Sequence, residues 1–266
     1  MIMRKLCGLF FFFCIDLLHG QYISEKKIIY SEIVKDSFEL YISIPKELAL
    51  NKSYDVVYYC DANLKSGKLL RQMINSKAND HQGHRIFVGI GHIGNFHVLR
   101  RRDFILPKID NGDSIEAATI KYGQIEKFYQ FLKIELIPAI NTKYKTNKQE
   151  NSIIGHSLAG LFVFYCLFKN EGVFKNYYAL SPSLWVDNYS IYRFNKIIDN
   201  CLEVKYLYFS VGGLERINRI KQGANQMSRF LGTQNYQNLY YQYKIHKGKT
   251  HNTQVKISLE DILKRE

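Results

Sequence analysis

Proline is scarce in this chain, with only 4 among 266 residues. No segment rich in proline, glycine and serine separates two halves of the sequence, and no internal repeat or low-complexity block is present. The missing linker argues against two domains, and 266 residues can bury the core of one large α/β domain. We therefore predict a single domain.

Cysteine is also scarce, and its 5 positions do not suggest a disulfide framework. Cys7 and Cys14 lie close to the N-terminus, which leaves an odd number, Cys60, Cys166 and Cys201, in the rest of the chain. Cys60 falls in a predicted strand and Cys166 in a predicted buried helix, so we interpret both as small core residues. We predict no disulfide.

A long apolar run that would comfortably span a membrane is missing as well. The apolar stretch at residues 6–18 is short, contains Asp16 and follows the basic pair Arg4 and Lys5. This order is typical of a secretory signal peptide. We interpret residues 1–20 as a signal peptide cleaved after Gly20, with an uncleaved membrane anchor as the alternative. The domain at 21–266 is then expected to be periplasmic or secreted, without stable insertion into a membrane.

Acidic residues are few relative to basic ones, 24 against 37, which gives a net charge of +13. This balance fits a binder of nucleic acids or anionic lipids, but also a lysine-rich surface with neither role. The basic residues are scattered, with one cluster at residues 100–102, and no nucleic-acid-binding motif is present. We predict no nucleic-acid partner, whereas the charge can favour anionic small-molecule substrates.

The spacing of apolar residues predicts alternating strands and helices. Residues 26–34 and 38–44 alternate as in two antiparallel strands. Further strands are predicted at 54–60, 85–91, 152–155, 175–180, 204–211 and 239–245. Helices are predicted at 64–78, 122–141 with a kink near Pro138, after 157, and at 188–200, 216–231 and 254–264, and a long irregular loop at 92–114. The pattern predicts an α/β fold: a mostly parallel central sheet, helices on both faces and an antiparallel N-terminal strand pair.

The segment Gly155-His156-Ser157 joins a short apolar strand to an apolar helix. This is the context of a nucleophile elbow, in which a serine hydroxyl projects from the top of a sheet. The turn requires small residues two positions before and after the serine. Gly155 meets this requirement, and Ala159 stands where glycine is usual. The helix also presents N–H groups that can bind an oxyanion beside the serine. We therefore predict Ser157 as a nucleophile.

A serine nucleophile needs a histidine base and an acid, which follow it in that chain order in α/β-hydrolases. Glu215 follows a predicted strand, and Asp187, the alternative acid, follows the strand before it. Asp187 can also cap a helix and Glu215 can also be a first-turn charge, so both stay candidates, with Glu215 preferred. His251 lies late in the loop after the last strand and can reach back, whereas His246 stands at the strand end. We predict the triad Ser157, His251 and Glu215.

An oxyanion formed beside Ser157 needs two backbone donors. The first is expected to be the N–H of Leu158, directly after the nucleophile. The second is expected from the loop after the strand at 54–60, from Asn63 or, next in preference, from Ala62.

Three further histidines have less specific interpretations. His156 is expected to pack against neighbours, because its side chain should point away from the serine that follows it. His92 and His97 can line the pocket, but no ligand spacing supports a metal site at either.

Several segments of this chain resemble the putative-esterase branch of the α/β-hydrolases, which includes enterochelin (siderophore) esterases and S-formylglutathione-hydrolase-like enzymes. The segments are residues 56–63, 100–107, 135–140, 154–160, 181–185 and 211–215. The family usually has Asp-Gly where this chain has Asp61-Ala62, so a methyl group at Ala62 is expected to narrow the oxyanion loop. The family also has more small residues around its histidine than residues 249–253 contain.

The resemblance implies a serine esterase with no metal or organic cofactor. It also implies that Arg102, Asp103 and Trp185 shape the substrate pocket. The alternative for Arg102 and Asp103 is a structural ion pair that orders their loop.

Together, these patterns predict an exported serine esterase that hydrolyses a carboxylic ester through an acyl-enzyme, with a siderophore or another small ester as substrate. Two alternatives stay open: an acyltransferase that uses the same triad, and a non-catalytic binding protein on a hydrolase scaffold. Neither the identity of the ester nor the oligomeric state follows from the sequence.

Overall fold

The computed structural model of the protein describes residues 22–48, 51–76, 85–107, 122–194, 203–234 and 236–265. The predicted signal peptide at residues 1–20 lies outside these ranges, as do Cys7, Cys14 and Cys201. Cys60 and Cys166 are both buried and unbridged, as the interpretation of them as core residues requires.

The described residues form a sheet of eight strands in the order β1-β2-β4-β3-β5-β6-β7-β8. The strands are β1 (Tyr22–Ser31), β2 (Asp36–Pro45), β3 (Asp55–Cys60), β4 (Arg85–His92), β5 (Ser152–His156), β6 (Asn176–Leu180), β7 (Lys205–Gly212) and β8 (Leu239–His246). β2 pairs antiparallel with both β1 and β4, whereas all pairs from β4 through β3 to β8 are parallel. This is the predicted sheet, and the α/β-hydrolase fold is confirmed.

Helices cover both faces of the sheet. They are α1 (Lys65–Ile74), α2 (Phe96–Phe104), α3 (Ile125–Gln130), α4 (Ile137–Lys143), α5 (Leu158–Lys169), α6 (Asn218–Thr233) and α7 (Gln254–Leu263). One core cluster packs α3, α5 and α6 on one face, where the rings of Phe128 and Phe162 lie 5.0 Å apart. A second cluster packs α1 and α7 on the other face, through Leu70 and Leu259. The central strands are therefore apolar on both sides, which explains why they appear as continuous apolar runs in the sequence.

Helix α2 corrects part of the prediction that residues 92–114 form an irregular loop, of which residues 108–114 lie outside the described ranges. The Asn95 side chain caps this helix by accepting hydrogen bonds from the N–H groups of His97 and Val98, at 3.2 and 3.4 Å. The helix has no apolar stripe to reveal it, because three consecutive arginines lie in it and its buried residues are Asp103 and Phe104.

The helix predicted at 122–141 is interrupted before Pro138 rather than kinked in its last turn. A π-helical segment, Phe131–Leu136, separates α3 from α4. Pro138 has no N–H to donate to the preceding turn, and a widened turn accommodates the missing hydrogen bond.

The helix predicted at 188–200 is also wrong over its described part. Asp187, Asn188 and Tyr189 have φ angles of 49°, 52° and 60°, in the left-handed region where a right-handed helix cannot start. Residues 190–194 form one short 3₁₀ turn, and residues 195–202 lie outside the described ranges. No helix within the described ranges is both long and apolar enough to cross a membrane.

Candidate active site

Ser157 occupies a strained turn between β5 and α5. Its φ of 63° and ψ of −116° are a conformation that a residue with a side chain rarely adopts. The turn is so tight that a Cβ on Gly155 would lie 2.2 Å from the carbonyl oxygen of Ala159, so only glycine fits there. The Ser157 N–H donates to the Leu180 carbonyl at 2.9 Å, which anchors the turn to β6. This is the geometry of the predicted nucleophile elbow.

Ala159 fits although glycine is usual at its position. Its side chain is fully buried in the core cluster of α5, away from the close contact that Gly155 makes. The tight approach falls one residue later, where a Cβ on Gly160 would lie 2.9 Å from Cα of Pro182.

His251 pairs with Glu215. Its Nδ1 lies 2.9 Å from Oε2 of Glu215. The Glu215 side chain is fully buried, whereas the His251 side chain is 26% exposed. A carboxylate can only accept, so Nδ1 carries the proton and Nε2 of the neutral ring is left as an acceptor. Burial by itself would raise the pKa of Glu215, but hydrogen bonds from His251 and Ser181 outweigh it and lower that pKa below its usual value.

The loops that carry Glu215 and His251 are hydrogen-bonded to each other. The N–H of Gly213 donates to the carbonyl of His246, and that of Leu214 to the carbonyl of Lys249, both at 2.8 Å. A Cβ on Gly212 would lie 2.4 Å from the carbonyl oxygen of Lys249. Backbone contacts therefore set the position of the acid relative to the histidine.

His156 packs against His251, as its place in the elbow predicts. The two rings lie 4.5 Å apart, and Nε2 of His156 donates to the backbone carbonyl of His251 at 3.1 Å. Burial, together with the adjacent His251, lowers the pKa of His156 to about 3, so its ring stays neutral at pH 7. His156 thereby holds the histidine loop against the elbow.

Two cavities meet at Ser157 and His251. The larger, of about 600 Å³, is mostly apolar, and Trp185, which we predicted to shape the pocket, lines it. The smaller, of about 250 Å³, has Arg100 and Lys65 in its lining. Both cavities are mostly apolar, and the smaller one also has charged side chains in its lining.

Of the two expected oxyanion donors, Leu158 lies in the lining of the larger cavity at Ser157, whereas Asn63 lines neither cavity and stays a prediction. Leu158 is the first residue of α5, where an N–H has no partner within the helix, and it lines the larger cavity. In the loop after β3, the N–H of Ala62 donates to the Ile90 carbonyl, and that of Leu64 to the Asp61 carbonyl. These bonds leave Asn63 rather than Ala62 as the candidate for the second donor.

The methyl group of Ala62 packs into the core. In this loop the left-handed conformation, with a φ of 58°, falls on Asp61 and not on Ala62, so the backbone at Ala62 does not require glycine. Ala62 is fully buried in the core cluster of α1 and α7 and lines neither cavity at Ser157.

Arg102 and Asp103 form a structural ion pair, as the alternative interpretation of these two residues predicts. Arg102 bonds Asp103 and Asp36 at 2.7 Å each, and Asp103 Oδ2 lies 2.9 Å from Nε2 of the buried His92. None of these residues lines either cavity at Ser157. The network joins α2 to β2 and β4, so the expectation that Arg102 and Asp103 shape the pocket is wrong, as is the placement of His92 in its lining.

Of the other candidates, His246 and His97 line neither cavity at Ser157, and Asp187 lines the larger one without a described hydrogen bond to His251. His246 is buried at the end of β8, with Nε2 3.0 Å from Ser258 Oγ, and His97 is exposed on α2. Asp187 lines the larger cavity, whereas the carboxylate hydrogen-bonded to His251 is that of Glu215. Within the described ranges, no group of three or more histidine, cysteine, aspartate and glutamate side chains is arranged to hold a metal ion.

Comparison with known proteins identifies the family of this chain. The family described as "Putative esterase" matches residues 31–254. The chain belongs to this esterase family. Ferri-bacillibactin esterase BesA of Bacillus subtilis is 30% identical over 171 residues, 60% of this chain and 58% of that protein. The siderophore triacetylfusarinine C esterase of Aspergillus fumigatus is 30% identical over 111 residues, 41% of this chain and 36% of that protein.

The chain thus spans less than two thirds of the length of each of these curated relatives. Among solved structures, the BES protein from Bacillus cereus superimposes with a TM-score of 0.78 at 25% sequence identity, over 93% of this chain and 96% of that one.

Sequence reasoning about this esterase-family chain missed three residues of the site. Arg100 lines the smaller cavity and donates to Asp61 at 2.8 Å, while Arg101 lines the larger one. The arginine cluster at residues 100–102 is evident in the sequence. Because successive residues of a helix are turned by about 100° from one another, the direction in which each arginine points follows only once helix α2 is known. Ser183 Oγ lies 3.3 Å from Ser157 Oγ, and although it falls in the segment 181–185 that resembles the family, the resemblance gave it no role.

Proposed function

We propose that this protein is a serine hydrolase that cleaves a carboxylic ester through an acyl-enzyme. The observation that carries the proposal is the 2.9 Å hydrogen bond from His251 Nδ1 to Glu215, beside cavities that Ser157 and His251 line together. Membership of the esterase family supports the same reaction class.

The proposed mechanism follows from the donors and acceptors present. Ser157 Oγ attacks the ester carbonyl carbon while Nε2 of His251 takes its proton. The carbonyl oxygen becomes an oxyanion that the N–H groups of Leu158 and Asn63 stabilise. His251 then protonates the departing alcohol, and water, activated by the same imidazole, releases the acid from Ser157. Glu215 keeps the imidazole in the required tautomer and stabilises its cationic form.

A siderophore ester is the substrate class that we propose. The curated relatives carry the names ferri-bacillibactin esterase and siderophore triacetylfusarinine C esterase. Arg101, exposed in the lining of the larger cavity, fits an anionic substrate, whereas Arg100 in the smaller cavity is already paired with Asp61. Export to the periplasm or the outside of the cell, proposed from the signal-peptide pattern at residues 1–20, would let the enzyme meet such esters there.

The first test is labelling of the purified protein with a fluorophosphonate, which reports an activated serine without the true substrate. Ser157→Ala is expected to abolish labelling, because the bond to phosphorus forms at Ser157 Oγ. Labelling that persists in the variant would assign the nucleophile elsewhere. Folded wild-type protein that does not react would contradict the proposal.

The second step separates the substrate classes. Bacillibactin, triacetylfusarinine C and a neutral acetyl ester are incubated with the wild type and with Ser157→Ala, and the acid and alcohol products are quantified. Siderophore esters are expected to be cleaved faster than the acetyl ester. Cleavage of the acetyl ester alone would keep the esterase and reject the siderophore class.

A further inference from the structure

Ser183 lies beside the nucleophile. It follows β6, is 4% exposed and lines the larger cavity. Its Oγ lies 3.3 Å from Oγ of Ser157, and its N–H donates to the carbonyl of Ser157 at 3.0 Å. Ser183 thus contacts both the backbone and the hydroxyl of the residue that the proposed mechanism uses.

Among the described hydrogen bonds, Ser157 Oγ takes part in one, and its partner there is the Ser183 hydroxyl. A serine hydroxyl has one proton to donate and two lone pairs that accept. For attack, Ser157 must donate its proton to Nε2 of His251. A hydroxyl that donates to Ser157 Oγ leaves that proton free for His251 and restricts rotation about the Cα–Cβ bond of Ser157.

The backbone around Ser183 is held on several sides. The N–H of Ser181 donates to the Ser210 carbonyl at 2.7 Å, and Pro182 packs closely against Gly160 of α5. The Ser181 hydroxyl donates to Glu215 at 2.5 Å. One segment of three residues, 181–183, therefore touches both the proposed acid and the proposed nucleophile, and its fixed backbone keeps the Cα of Ser183 beside Ser157.

We propose that Ser183 is a positioning residue for the nucleophile: its hydroxyl donates to Ser157 Oγ and holds it in the rotamer from which it reacts. This inference rests on the proposed function, because it assigns Ser183 a role only if Ser157 is the nucleophile.

The test is the rate of fluorophosphonate labelling in Ser183→Ala. In this reaction the bond from Ser157 Oγ to phosphorus forms, fluoride leaves and the proton passes to His251. Losing one positioning hydrogen bond is expected to slow labelling by roughly three- to tenfold. The midpoint of thermal unfolding should stay close to that of the wild type, because the backbone hydrogen bond of Ser183 is retained.

Ser190→Ala is the matched control. Ser190 is also 4% exposed and lies in the same connection between β6 and β7, but its hydroxyl has no hydrogen-bond partner among the described residues and it lines neither cavity at Ser157. Its labelling rate is expected to equal that of the wild type. Ser183→Thr keeps the hydroxyl and is expected to recover most of the rate that Ser183→Ala loses.

The pH dependence separates positioning from a change in the base. Ser183→Ala is expected to lower the plateau of the labelling rate without moving the midpoint of its pH profile, since Ser183 does not contact the imidazole in the hydrogen bonds described. Equal rates for Ser183→Ala and the wild type would overturn the inference while the proposed function stands. An unreactive wild type would overturn both.

Discussion

At the scale of single residues, Glu215 carries a charge at a fully enclosed position because three donors surround it. His251 and the N–H of Gly212 contribute hydrogen bonds at 2.9 and 3.1 Å, and the Ser181 hydroxyl contributes the third. A buried carboxylate is stable only with such partners. The same interactions would let Glu215 stabilise a cationic His251 in the proposed reaction.

Glu215→Gln keeps the size and the accepting oxygen of this residue but removes the charge. We expect fluorophosphonate labelling to slow on the order of a thousandfold, because the cationic imidazole loses its counter-charge and the tautomer of His251 is no longer enforced. The matched control is Asp261→Asn, since Asp261 lies 3.9 Å from a different histidine, His246, outside the site. If Asp187→Asn slowed labelling more than Glu215→Gln does, the acid would be Asp187.

The lowered pKa of Glu215 also predicts how stability depends on pH. An unfolded glutamate has a pKa of about 4.3, so between that value and the lower folded pKa the unfolded chain binds more protons. The stabilisation from Glu215 is therefore complete above the unfolded pKa and is lost as pH falls through the folded pKa. In urea denaturation, wild-type protein should lose stability relative to Glu215→Gln below about pH 4. A difference in unfolding free energy between the wild type and Glu215→Gln that stays constant with pH would contradict the lowered pKa of Glu215.

At the scale of elements, the site depends on close contacts between loops that follow different strands. The elbow after β5, the segment after β6, the acid loop after β7 and the histidine loop after β8 all lie at the carboxyl edge of the parallel sheet. Their backbones approach so closely that glycine is required at the contacts, as at Gly160 against Pro182 and at Gly212 against Lys249. The elements thus position the reactive groups through the backbone.

Gly212→Ala tests this coupling between the acid and histidine loops. The added methyl group would lie 2.4 Å from the Lys249 carbonyl oxygen, so the histidine loop must move away. We expect a loss of about 1–3 kcal/mol in unfolding free energy, and labelling slower by at least roughly tenfold in the protein that stays folded. Denaturant unfolding and labelling kinetics measure the two effects.

Gly232→Ala in α6 is the control, because its added methyl group would meet only the flexible end of Tyr241, at 3.1 Å. That variant is expected to retain stability and labelling. Unchanged labelling in folded Gly212→Ala would show that the histidine loop tolerates displacement.

At the scale of the whole molecule, the net charge of +13 surrounds a site with arginines in both cavities. Such a charge attracts anionic substrates before they bind, and salt screens the attraction. We expect kcat/KM for an anionic ester to fall roughly three- to tenfold between low and high ionic strength, while a neutral ester changes by less than about twofold. Equal salt dependence for both esters would remove electrostatic attraction as a factor.

Arg101→Gln refines this measurement, because Arg101 is exposed and lines the larger cavity. The variant should show a smaller salt effect for the anionic ester and an unchanged one for the neutral ester. A salt effect as large as that of the wild type would attribute the attraction to the overall charge.

Much of this molecule follows from short-range sequence patterns. Continuous apolar runs locate the central strands, a period of two locates β1 and β2, and the steric demands of one tight turn identify Ser157 between β5 and α5. These patterns depend on neighbouring residues, so they can be recognised without the fold. Where burial was achieved by ion pairs instead of an apolar stripe, as in α2, the same patterns failed.

The tertiary structure decided what neighbouring residues cannot. It brought Glu215 rather than Asp187 to His251, turned Arg100 and Arg101 towards the cavities while Arg102 joined a buried ion network, and set Ser183 against Ser157. Each of these outcomes depends on how loops from distant parts of the chain are aligned at one edge of the sheet. A shift of one residue in a loop or helix would exchange the partners, and no local pattern encodes that alignment.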